Sequence, residues 1–404
     1  MSTSFIYHAL GLHGYDYVHQ KFADGGITFR IRAKWQIVRC PVCGSRKVIR
    51  RGMVIRKLRT VPIGCKPVWL LVEIPRVFCC KCGAVRQIDT GISSPRRSYT
   101  RKFERFVITL SKVMTLKDIA AFVNVGWDCI KDIVKNNLLK RFSEPSLKNT
   151  RYIAIDEVSI RKGHKYLTLV LDIERGVVLF VGNGKGADAL TSFWQRLGKR
   201  KKQILAVCTD MGPGYISAVL KNLPDTPLIF DRFHAVKLMN DTLSDIRRAL
   251  HHELTDIMHK TVIKGTRWLL LKNPENLSTA HDEASKLKEA LRLNVPLSTA
   301  YYMKEDLRQF WEQPDRDSAE KVIDDWINRA WSSGISPLVK MGTTIKAYKS
   351  GILNWYEHRI SSGKMEGTNN KIKVLKRMAY GYRDLEFFKL RILAIHEARY
   401  AFTG

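Results

Sequence analysis

The chain has 404 residues, of which 45% are hydrophobic and 10% aromatic, so it can form packed cores in about two to four domains and is not a disordered chain. Its formal net charge is +31, from 69 lysine and arginine residues against 38 aspartate and glutamate residues. Such a charge predicts a polyanionic partner, with nucleic acid the leading one. Because the basic residues are spread over the whole chain, a lipid surface is a poorer match.

No apolar run in the chain approaches the length of a membrane span, because the run from Leu167 to Val181 is interrupted by charged side chains. The first residues lack the basic region and the apolar core of an export signal. We therefore expect a cytoplasmic, nucleoid-associated protein with no membrane partner. The chain has eight cysteines, and in that compartment those that occur in clusters indicate zinc rather than disulfide bonds.

Two cysteine motifs mark the first domain, for which we expect the bounds 1–94. After a short strand or two in residues 1–36, Cys40-Pro41-Val42-Cys43-Gly44 and Cys79-Cys80-Lys81-Cys82-Gly83 each place two thiols before a glycine that lets the backbone turn. This spacing predicts a zinc ribbon with a structural Zn²⁺ bound by four thiolates. The predicted ligands are Cys40, Cys43, Cys79 and Cys82. Cys80 could replace a neighbour, and the alternative is a metal-free set of buried cysteines.

Basic residues fill the segment between the two cysteine motifs. They are Arg46, Lys47, Arg50, Arg51, Arg56, Lys57 and Arg59. A run of this kind is often only a solvated face of a domain. In a chain with so large a positive charge, however, we predict that these side chains contact the phosphate groups of DNA.

A second domain is expected over residues 95–148, after a linker that contains Pro95. Apolar residues at helical spacing predict three helices, the second capped by Thr115 and followed by a tight turn at Asn124–Gly126. This outline is typical of a helix-turn-helix, which would place Lys131 and Lys135 of the third helix on DNA. Any three-helix packing unit would give the same pattern, and that is the alternative.

From residue 149 strands and helices alternate. The first three strands are joined by short turns, and the first of these turns is at Lys162-Gly163-His164. This pattern predicts an antiparallel meander, after which a helix, a strand, a helix and a strand follow. The predicted strands are Tyr152–Ile160, Tyr166–Asp172, Val177–Val181, Ile204–Thr209 and Leu228–Phe230. This order is that of ribonuclease H-like folds. We therefore expect an α/β domain of this type over 149–404, with an all-helical insertion at about 240–350.

The predicted insertion is rich in aromatic residues. They are Trp268, Tyr301, Tyr302, Trp311, Trp326 and Trp331. Aromatic side chains can stack on unpaired bases, but at helical spacing they more often form a core. We interpret this set as core.

Three acidic residues are placed where they favour metal binding. Asp156 follows four strand-forming residues, Asp210 follows the fourth predicted strand, and Glu366 lies at the start of a basic helix. Three acids from separate elements can hold two divalent cations, the arrangement used for in-line displacement at phosphorus. The basic residues of that helix, which would contact DNA, are Lys371, Lys373, Lys376 and Arg377.

Four other polar residues are candidates for supporting roles. Glu157 points away from Asp156 because successive strand residues face opposite sides of a sheet, so we interpret it as a structural residue or as one that supports the metal ligands. Asp172 and Asp231 are auxiliary candidates. His234 is either a group that orients phosphate or water or a structural histidine at the start of a helix.

Taken in chain order, these motifs resemble those of the ISL3-family transposases, from about residue 38 to the end. The resemblance is carried by the two cysteine motifs, the helix-turn-helix outline, Ile155-Asp156-Glu157, Arg161–Tyr166, Asp210-Met211 with Pro213 and Tyr215, Asp231–His234 and Glu366–Lys373. The chain departs from the family pattern at Gly212, where a bulkier residue is expected, and at Ser361-Ser362, where an asparagine is common.

The resemblance implies a bacterial insertion-sequence enzyme of the DDE type. In such an enzyme Asp156, Asp210 and Glu366 would bind catalytic Mg²⁺ or Mn²⁺, while Asp231 and His234 would form the motif after the fifth strand. The enzyme would bind double-stranded DNA at terminal inverted repeats, cut the element ends and join their 3′-hydroxyls to target DNA. Because two ends must be brought together, a homodimer or a larger synaptic assembly is expected.

Two other functions fit parts of the same sequence. In the first, the zinc ribbon and the helix-turn-helix recognise a DNA site and the second half of the chain is an inert scaffold, which makes the protein a non-catalytic regulator. In the second, the ribonuclease H-like domain is a structure-specific nuclease that cuts branched DNA without joining it. Strand cleavage separates the enzyme from the regulator, and joined products separate the transposase from the nuclease.

Overall fold

A computed structural model of the chain describes residues 3–161, 165–253, 263, 266–292 and 294–397. The contacts divide the chain into two compact units, Met1–Ser143 with Glu397–Gly404 and Glu144–His396. The turn predicted at residues 162–164 lies outside the described residues. Within the described ranges, no helix is both long enough and apolar enough to cross a membrane.

The first unit is built on a five-stranded sheet. Helix α1 (Thr3–Leu10) precedes strands β1 (Tyr15–Ala23), β2 (Gly26–Ala33), β3 (Val48–Ile63), β4 (Lys66–Cys79) and β5 (Val85–Gln87). The strand order is β1-β2-β4-β3, with β5 paired to β4. The strands predicted in residues 1–36 are therefore present and belong to a larger sheet than a zinc ribbon alone, but the sequence analysis missed α1. Buried apolar side chains, among them Ile6, Phe29 and Leu70, form the core.

Strands β3 and β4 form a long antiparallel hairpin that positions the cysteine motifs. Its closed end pairs Ile63 with Lys66, and its open end pairs Val48 with Cys79. Because the first motif lies just before Val48 and the second begins at Cys79, this register brings both motifs to the same end of the sheet. The 16-residue and 14-residue strands thus place four thiols together from positions about 40 apart in the sequence.

A buried carboxylate joins β2 to β4. Glu73 has no solvent exposure, and its two oxygens accept hydrogen bonds from Nε of Arg30 at 2.7 Å and Nε of Arg32 at 2.5 Å. These charge-assisted bonds, above all the one from Arg32, lower the pKa of Glu73. The negative charge of Glu73 is therefore stabilised inside the sheet.

Three helices complete the first unit: α2 (Arg101–Leu110), α3 (Leu116–Val123) and α4 (Trp127–Phe142). The hydroxyl of Thr115 accepts a hydrogen bond from the amide of Asp118, which confirms Thr115 as the cap of α3. Asn124, in the left-handed conformation with φ of 49°, ends that helix. The short turn before α4 is therefore the one that the sequence predicted.

The second unit contains another five-stranded sheet. Its strands are β6 (Tyr152–Arg161), β7 (Lys165–Asp172), β8 (Val177–Asn183), β9 (Ala206–Thr209) and β10 (Leu228–Phe230), in the order β10-β9-β6-β7-β8. Strands β6, β7 and β8 form the predicted antiparallel meander, whereas β9 is parallel to β6 and β10 is parallel to β9. Helices α5 (Thr191–Leu197) and α6 (Pro213–Asn222) connect the later strands.

The side chains of β6 alternate between two cores. Ile153 and Ile155 pack with residues of α5 and α6 on one face. Ala154 and Val158 pack on the other face, against the two helices near the end of the chain, α14 (Gly363–Met378) and α15 (Leu385–Leu393). By the same alternation Asp156 lies on the α14 face.

Between β10 and α14 the described chain is helical. The helices are α7 (Arg232–Glu253), α8 (Arg267–Leu271), α9 (Glu283–Arg292), α10 (Val295–Gln309), α11 (Arg316–Ser332), α12 (Ser336–Leu353) and α13 (Trp355–His358). This helical segment begins directly after β10, earlier than the predicted residue 240. Tyr301, Trp311 and Trp326 are buried in its core, as predicted. The prediction of core is wrong for Trp268, Tyr302 and Trp331, which are exposed.

The buried Glu73 predicts an acid-sensitive first unit. Glu73→Gln removes the charge but keeps the shape, so it should lower the free energy of unfolding at neutral pH by about 2–4 kcal/mol, because two arginines lose their partner. Since the folded-state pKa of Glu73 is lowered, its contribution is present above the unfolded pKa and is lost as the pH falls through the folded pKa. Calorimetric Tm values should therefore converge for wild type and variant in acid.

The control is Asp16→Asn, which removes an exposed ion pair with Lys34 at 3.5 Å. It should change the stability of the protein by less than about 0.5 kcal/mol. Equal effects of the two substitutions, or a Glu73→Gln effect that does not depend on pH, would contradict the assignment.

Candidate active site and zinc cluster

Four cysteines form a compact cluster at the open end of the β3–β4 hairpin. Within the described part of the chain, Cys40, Cys43, Cys79 and Cys82 are the one group of three or more metal-ligating side chains whose ligand atoms all lie within 4.8 Å of one another. The Sγ atoms of Cys40 and Cys82 are 3.7 Å apart, and those of Cys43 and Cys79 are 3.5 Å apart. Zinc with four bonds of about 2.3 Å to sulfur requires sulfur separations of about 3.8 Å. The cluster therefore fits a structural zinc ion.

Backbone amides donate hydrogen bonds to two of these sulfur atoms. The N–H of Val42 donates to Sγ of Cys40, and the N–H of Lys81 donates to Sγ of Cys79, both at 3.4 Å. The N–H groups of Cys82 and Lys81 lower the pKa of the Cys79 thiol to about 6. A low pKa favours the thiolate, which is the form that binds zinc. Cys80 is exposed and lies outside the cluster, so the four cysteines predicted first are the ones that meet.

The basic residues between the cysteine motifs differ in their solvent exposure. Arg46, Lys47, Arg50, Arg51 and Lys57 are exposed, and Arg56 is half-buried. Arg59 is buried, and its Nη2 donates to the carbonyl oxygen of Val123 at 2.9 Å, while its guanidinium lies over the ring of Trp69 at 4.8 Å. The prediction that Arg59 contacts phosphate is therefore wrong, because its side chain joins β3 to the end of α3. On α4, Lys131 and Lys135 are half-buried.

Asp156 and Asp210 are neighbours in the second sheet. Ile155 of β6 pairs with Thr209, the last residue of β9, so the acid that follows each residue lies at the same level of two adjacent strands. The pKa of Asp156 is raised, first by burial and also by the negative charge of Asp210. Two neighbouring half-buried carboxylates repel each other and are stabilised by positive charge.

Gly212 leaves room for the carboxylate of Asp210. Its amide N–H donates to Oδ1 of Asp210 at 3.0 Å. A Cβ atom at position 212 would lie 2.8 Å from the same oxygen, closer than a carbon and an oxygen can approach without one of them moving. The glycine at position 212, where the resemblance led us to expect a bulkier residue, therefore has a steric reason in this chain.

Glu366 lies in the first turn of α14, where its side chain is exposed. One helical turn later, Nδ2 of Asn369 donates to Oδ2 of Asp156 at 2.7 Å. The helix that carries Glu366 thus contacts the acid pair directly. The carboxylate of Glu366 does not form a group with Asp156 and Asp210 within 4.8 Å, in keeping with the mutual repulsion of three negative charges.

Two further contacts hold the start of α14 on the sheet. The hydroxyl of Ser362 donates to Oδ2 of Asp231, which is buried directly after β10. Nζ of Lys364 donates to the carbonyl oxygens of Ile173 at 2.7 Å and Glu174 at 3.1 Å. Asp231, predicted as an auxiliary acid, is therefore bonded to the residue that precedes α14.

Several buried polar atoms around the acid pair have no hydrogen-bond partner. They are Nδ1 of His234, Oδ1 of Asn369 and Oγ1 of Thr209. His234 is close enough for its charge to lower the pKa of Asp156. Oxygen atoms of carboxylates and amides are the ligands that Mg²⁺ and Mn²⁺ prefer, so this set of donors fits a divalent cation.

The other two acids that the sequence singled out lie away from this cluster. Glu157 accepts a hydrogen bond from the hydroxyl of Tyr215 at 3.2 Å, on the opposite face of β6 as predicted. Asp172 pairs with Ile153, three positions along β6 from Asp156, and forms an ion pair with Arg175 at 2.8 Å. Asp172 therefore stabilises the turn after β7 and is not an auxiliary of the acid pair.

The basic residues of α14 differ in their surroundings. Lys371, Lys373 and Arg377 are exposed. Nζ of Lys376 donates to the carbonyl oxygens of Ser159 at 3.3 Å and Ile160 at 3.4 Å, so this side chain joins α14 to the end of β6. The exposed part of the set remains a candidate surface for phosphate groups.

Sequence reasoning missed the roles of Asn369, Ser362 and Gly212. The spacing of Glu366 and Asn369, three residues apart on one helix, places them on the same face and could have identified Asn369. The sequence gives no such signal for Ser362, because its partner Asp231 is 131 residues away.

Two family models match the chain. One, described as a transposase model of the DDE type for the ISL3 family, matches residues 153–392. The other describes the zinc finger of the IS204, IS1001, IS1096 and IS1165 transposases and matches residues 36–82. Together they include both the acid pair and the cysteine cluster.

Named relatives align over nearly the whole chain. The transposase for insertion sequence element IS1001 of Bordetella parapertussis is 32% identical over 376 residues, which cover 92% of each chain. The transposase for insertion sequence element IS1557 of Mycobacterium tuberculosis is 27% identical over 393 residues, which cover 89% of this chain and 86% of the relative.

The cysteine geometry predicts the zinc content of two matched variants. Cys82→Ser should lose most of about one zinc ion per chain and should unfold at a lower temperature, because zinc binding contributes to folding. Cys80→Ser, next to the cluster but outside it, should keep both properties. Metal analysis of the purified proteins and their Tm values provide the measurement. A zinc-free wild type, or equal losses in both variants, would contradict the assignment.

The steric role of Gly212 predicts weaker cation binding in Gly212→Ala. The new methyl group should displace the Asp210 carboxylate and weaken Mn²⁺ binding by about tenfold, a loss of roughly 1.4 kcal/mol. Titration followed by electron paramagnetic resonance of free Mn²⁺ gives the affinity. Gly367→Ala is the control, since a Cβ at position 367 meets no atom within 4 Å. Unchanged Mn²⁺ binding in Gly212→Ala would refute the steric role.

Proposed function

Because the chain belongs to the ISL3 family of DDE transposases, and is therefore a DNA transposase, we propose that it recognises the terminal inverted repeats of an insertion sequence, cuts the ends of that element and joins the 3′-hydroxyls to target DNA. The observation that carries this proposal is the adjacency of Asp156 and Asp210, with Asn369 of the Glu366 helix bonded to Asp156. Family membership makes the chain an enzyme, so the alternative of a non-catalytic regulator does not apply.

The catalytic domain is proposed to have a ribonuclease H-like fold. Three features support this: an antiparallel β6-β7-β8 meander, β9 and β10 added in parallel beside β6, and an acid after β9 beside the acid of β6. The helical segment between β10 and α14 is then the insertion of that fold. The proposed domains span residues 1–94, 95–148 and 149–404.

Asp156, Asp210 and Glu366 would hold Mg²⁺ or Mn²⁺. Divalent ions bound there would favour deprotonation of the attacking water or 3′-hydroxyl and would neutralise the charge that develops on the departing oxygen. Hydrogen bonds from Asn369 and from the amide of Glu157 orient the two oxygens of Asp156, and the amide of Gly212 orients Oδ1 of Asp210. The donor set of carboxylate and amide oxygens supports this assignment.

Glu366 would reach the acid pair by rotation of its own side chain. The Ser362–Asp231 and Lys364 hydrogen bonds and the Asn369–Asp156 hydrogen bond hold α14 before and after Glu366. A helix fixed on both sides of a residue leaves only that side chain free to move. His234, with a buried Nδ1 beside Asp156, would orient a phosphate oxygen or the attacking water.

The first unit would supply most of the affinity for DNA. The exposed basic residues near the zinc cluster and the lysines of α4 are proposed to contact phosphate groups, which give affinity without sequence discrimination. The three helices α2, α3 and α4 are proposed to act as a helix-turn-helix that reads bases. Joining two element ends to one target requires two active sites, so we propose a homodimer or a larger assembly.

Substitution of the acids tests the proposed chemistry. Asp156→Asn should reduce Mg²⁺-dependent cleavage of terminal inverted-repeat DNA by at least on the order of 10³-fold, because an amide no longer offers a negative charge to the cation. Glu366→Gln should have a similar effect. Both variants should bind the uncut DNA as tightly as wild type in a gel-shift assay.

Asp225→Asn, a change at an exposed acid in the turn before β10, is the control and should cut normally. Cleavage at the wild-type rate by Asp156→Asn would refute the acid site. Normal cleavage by Glu366→Gln alone would remove Glu366 from the set. Cut ends without products joined to a target plasmid would favour a nuclease over the complete transposition reaction.

A further inference from the structure

Helix α14 ends in a strained turn with a tyrosine at its most constrained position. The N–H of Tyr380 donates to the carbonyl oxygen of Arg377 and the N–H of Gly381 donates to that of Lys376, both at 3.0 Å. This pair of hydrogen bonds closes a helix with a residue in the left-handed conformation, a position that glycine usually occupies. Tyr380 has a φ of 50°, which is unfavourable for a residue with a large side chain.

The described residues of the second unit do not cover the side chain of Tyr380, so packing does not compensate for this strain. The side chain of Tyr380 is 99% exposed, the most exposed of the large hydrophobic residues in the described part of the chain. The neighbouring Tyr382 differs, since its ring stacks on that of Phe388 with 4.4 Å between centroids. A strained backbone that presents a bare aromatic ring to solvent is typical of a binding residue rather than of a folding one.

The turn around Tyr380 is anchored to the strand that carries Asp156. Lys376 donates to the carbonyl oxygens of Ser159 and Ile160, and Nη2 of Arg161 donates to the carbonyl oxygen of Tyr382 at 3.2 Å. These bonds come from both sides of Tyr380 and end on the last residues of β6. The backbone that carries Tyr380 is therefore held at a fixed place relative to the acid pair.

The surroundings of the ring favour DNA as its partner. Arg377 and Arg383, on either side of Tyr380, are exposed, as are Lys371 and Lys373 earlier on α14. Positive charge along a surface attracts the phosphate backbone, and an aromatic ring among such charges offers a stacking platform for a base. Another protein surface would not require this density of positive charge.

We infer that Tyr380 stacks on an unpaired base of the DNA bound at the active site, an inference that rests on the function proposed above. Arg161 follows Asp156 by five positions on β6, and a strand rises about 3.3 Å per residue, so the turn lies roughly 17 Å from Asp156. One DNA strand advances about 3.4 Å per nucleotide. The stacked base is therefore about four to six nucleotides from the cleaved bond.

The test uses the full-length protein and terminal inverted-repeat duplexes with a single 2-aminopurine at successive positions around the cleaved bond. Wild type in Ca²⁺ should change the fluorescence of 2-aminopurine at one or two positions, about four to six nucleotides from that bond. Tyr380→Phe should keep the change, because the ring remains. Tyr380→Ala and Tyr380→Gly should abolish it and weaken binding of the duplex by roughly 5- to 150-fold.

Two controls separate loss of stacking from loss of fold. Tyr380→Gly relieves the left-handed strain, so its Tm should rise by about 2–4 °C even as DNA binding falls. Tyr302→Ala removes another exposed tyrosine, on α10, and should leave the fluorescence and the affinity unchanged.

Several outcomes would overturn the inference. The first is the absence of any fluorescence change with wild type, and the second is full retention of the change and of DNA affinity in Tyr380→Ala. The third is a change in the self-association of DNA-free Tyr380→Ala, measured by sedimentation, while base stacking remains intact. None of these affects the proposed function, which is tested separately by cleavage in Asp156→Asn and by the joining of cut ends to a target plasmid. A Tyr380→Ala protein that behaves as wild type while wild type cuts normally would therefore reject the stacking role alone.

Discussion

The alternation of side chains along β6 is the constraint on which the catalytic half of the molecule depends. Ile153 and Ile155 are fixed in one core and Ala154 and Val158 in the other, so Asp156 can face only the side where α14 packs. A shift of one position in the pairing of β6 would exchange every contact and send the acid to the wrong face. The two cores thus determine on which face of the sheet the carboxylate lies.

A register constraint also positions the zinc cluster in the first unit. The pairing of Val48 with Cys79 brings two cysteine motifs together, and the sulfur separations then match a tetrahedral ion. Each unit therefore uses extended strands, whose registers are set by apolar packing, to assemble polar groups from distant parts of the chain. The chemistry differs, since thiolates hold a structural ion and carboxylate oxygens suit a catalytic one.

The sequence predicted the features that depend on local patterns. Paired cysteines before glycines identified the zinc ligands. Apolar runs that end in an acid identified Asp156 and Asp210 as acids placed by two strands of the same sheet. It failed where a partner lies far along the chain. Arg59 looked like one more surface cation, but its hydrogen-bond acceptor is the carbonyl group of Val123, 64 residues away. The bond from Asn369 to Asp156 spans 213 residues, and no spacing rule within a single element reveals it.

The position of the helical segment has a consequence for incomplete chains. Asp156 and Asp210 precede this segment, whereas Glu366 and Asn369 follow it. A polypeptide interrupted within these helices would contain the cysteine cluster, the basic hairpin and the two neighbouring aspartates, but not the helix that carries Asn369 and the proposed third acid, Glu366. If the first unit binds inverted repeats as proposed above, such a fragment would occupy them without cutting, so premature termination would convert the enzyme into a competitor of its intact copies.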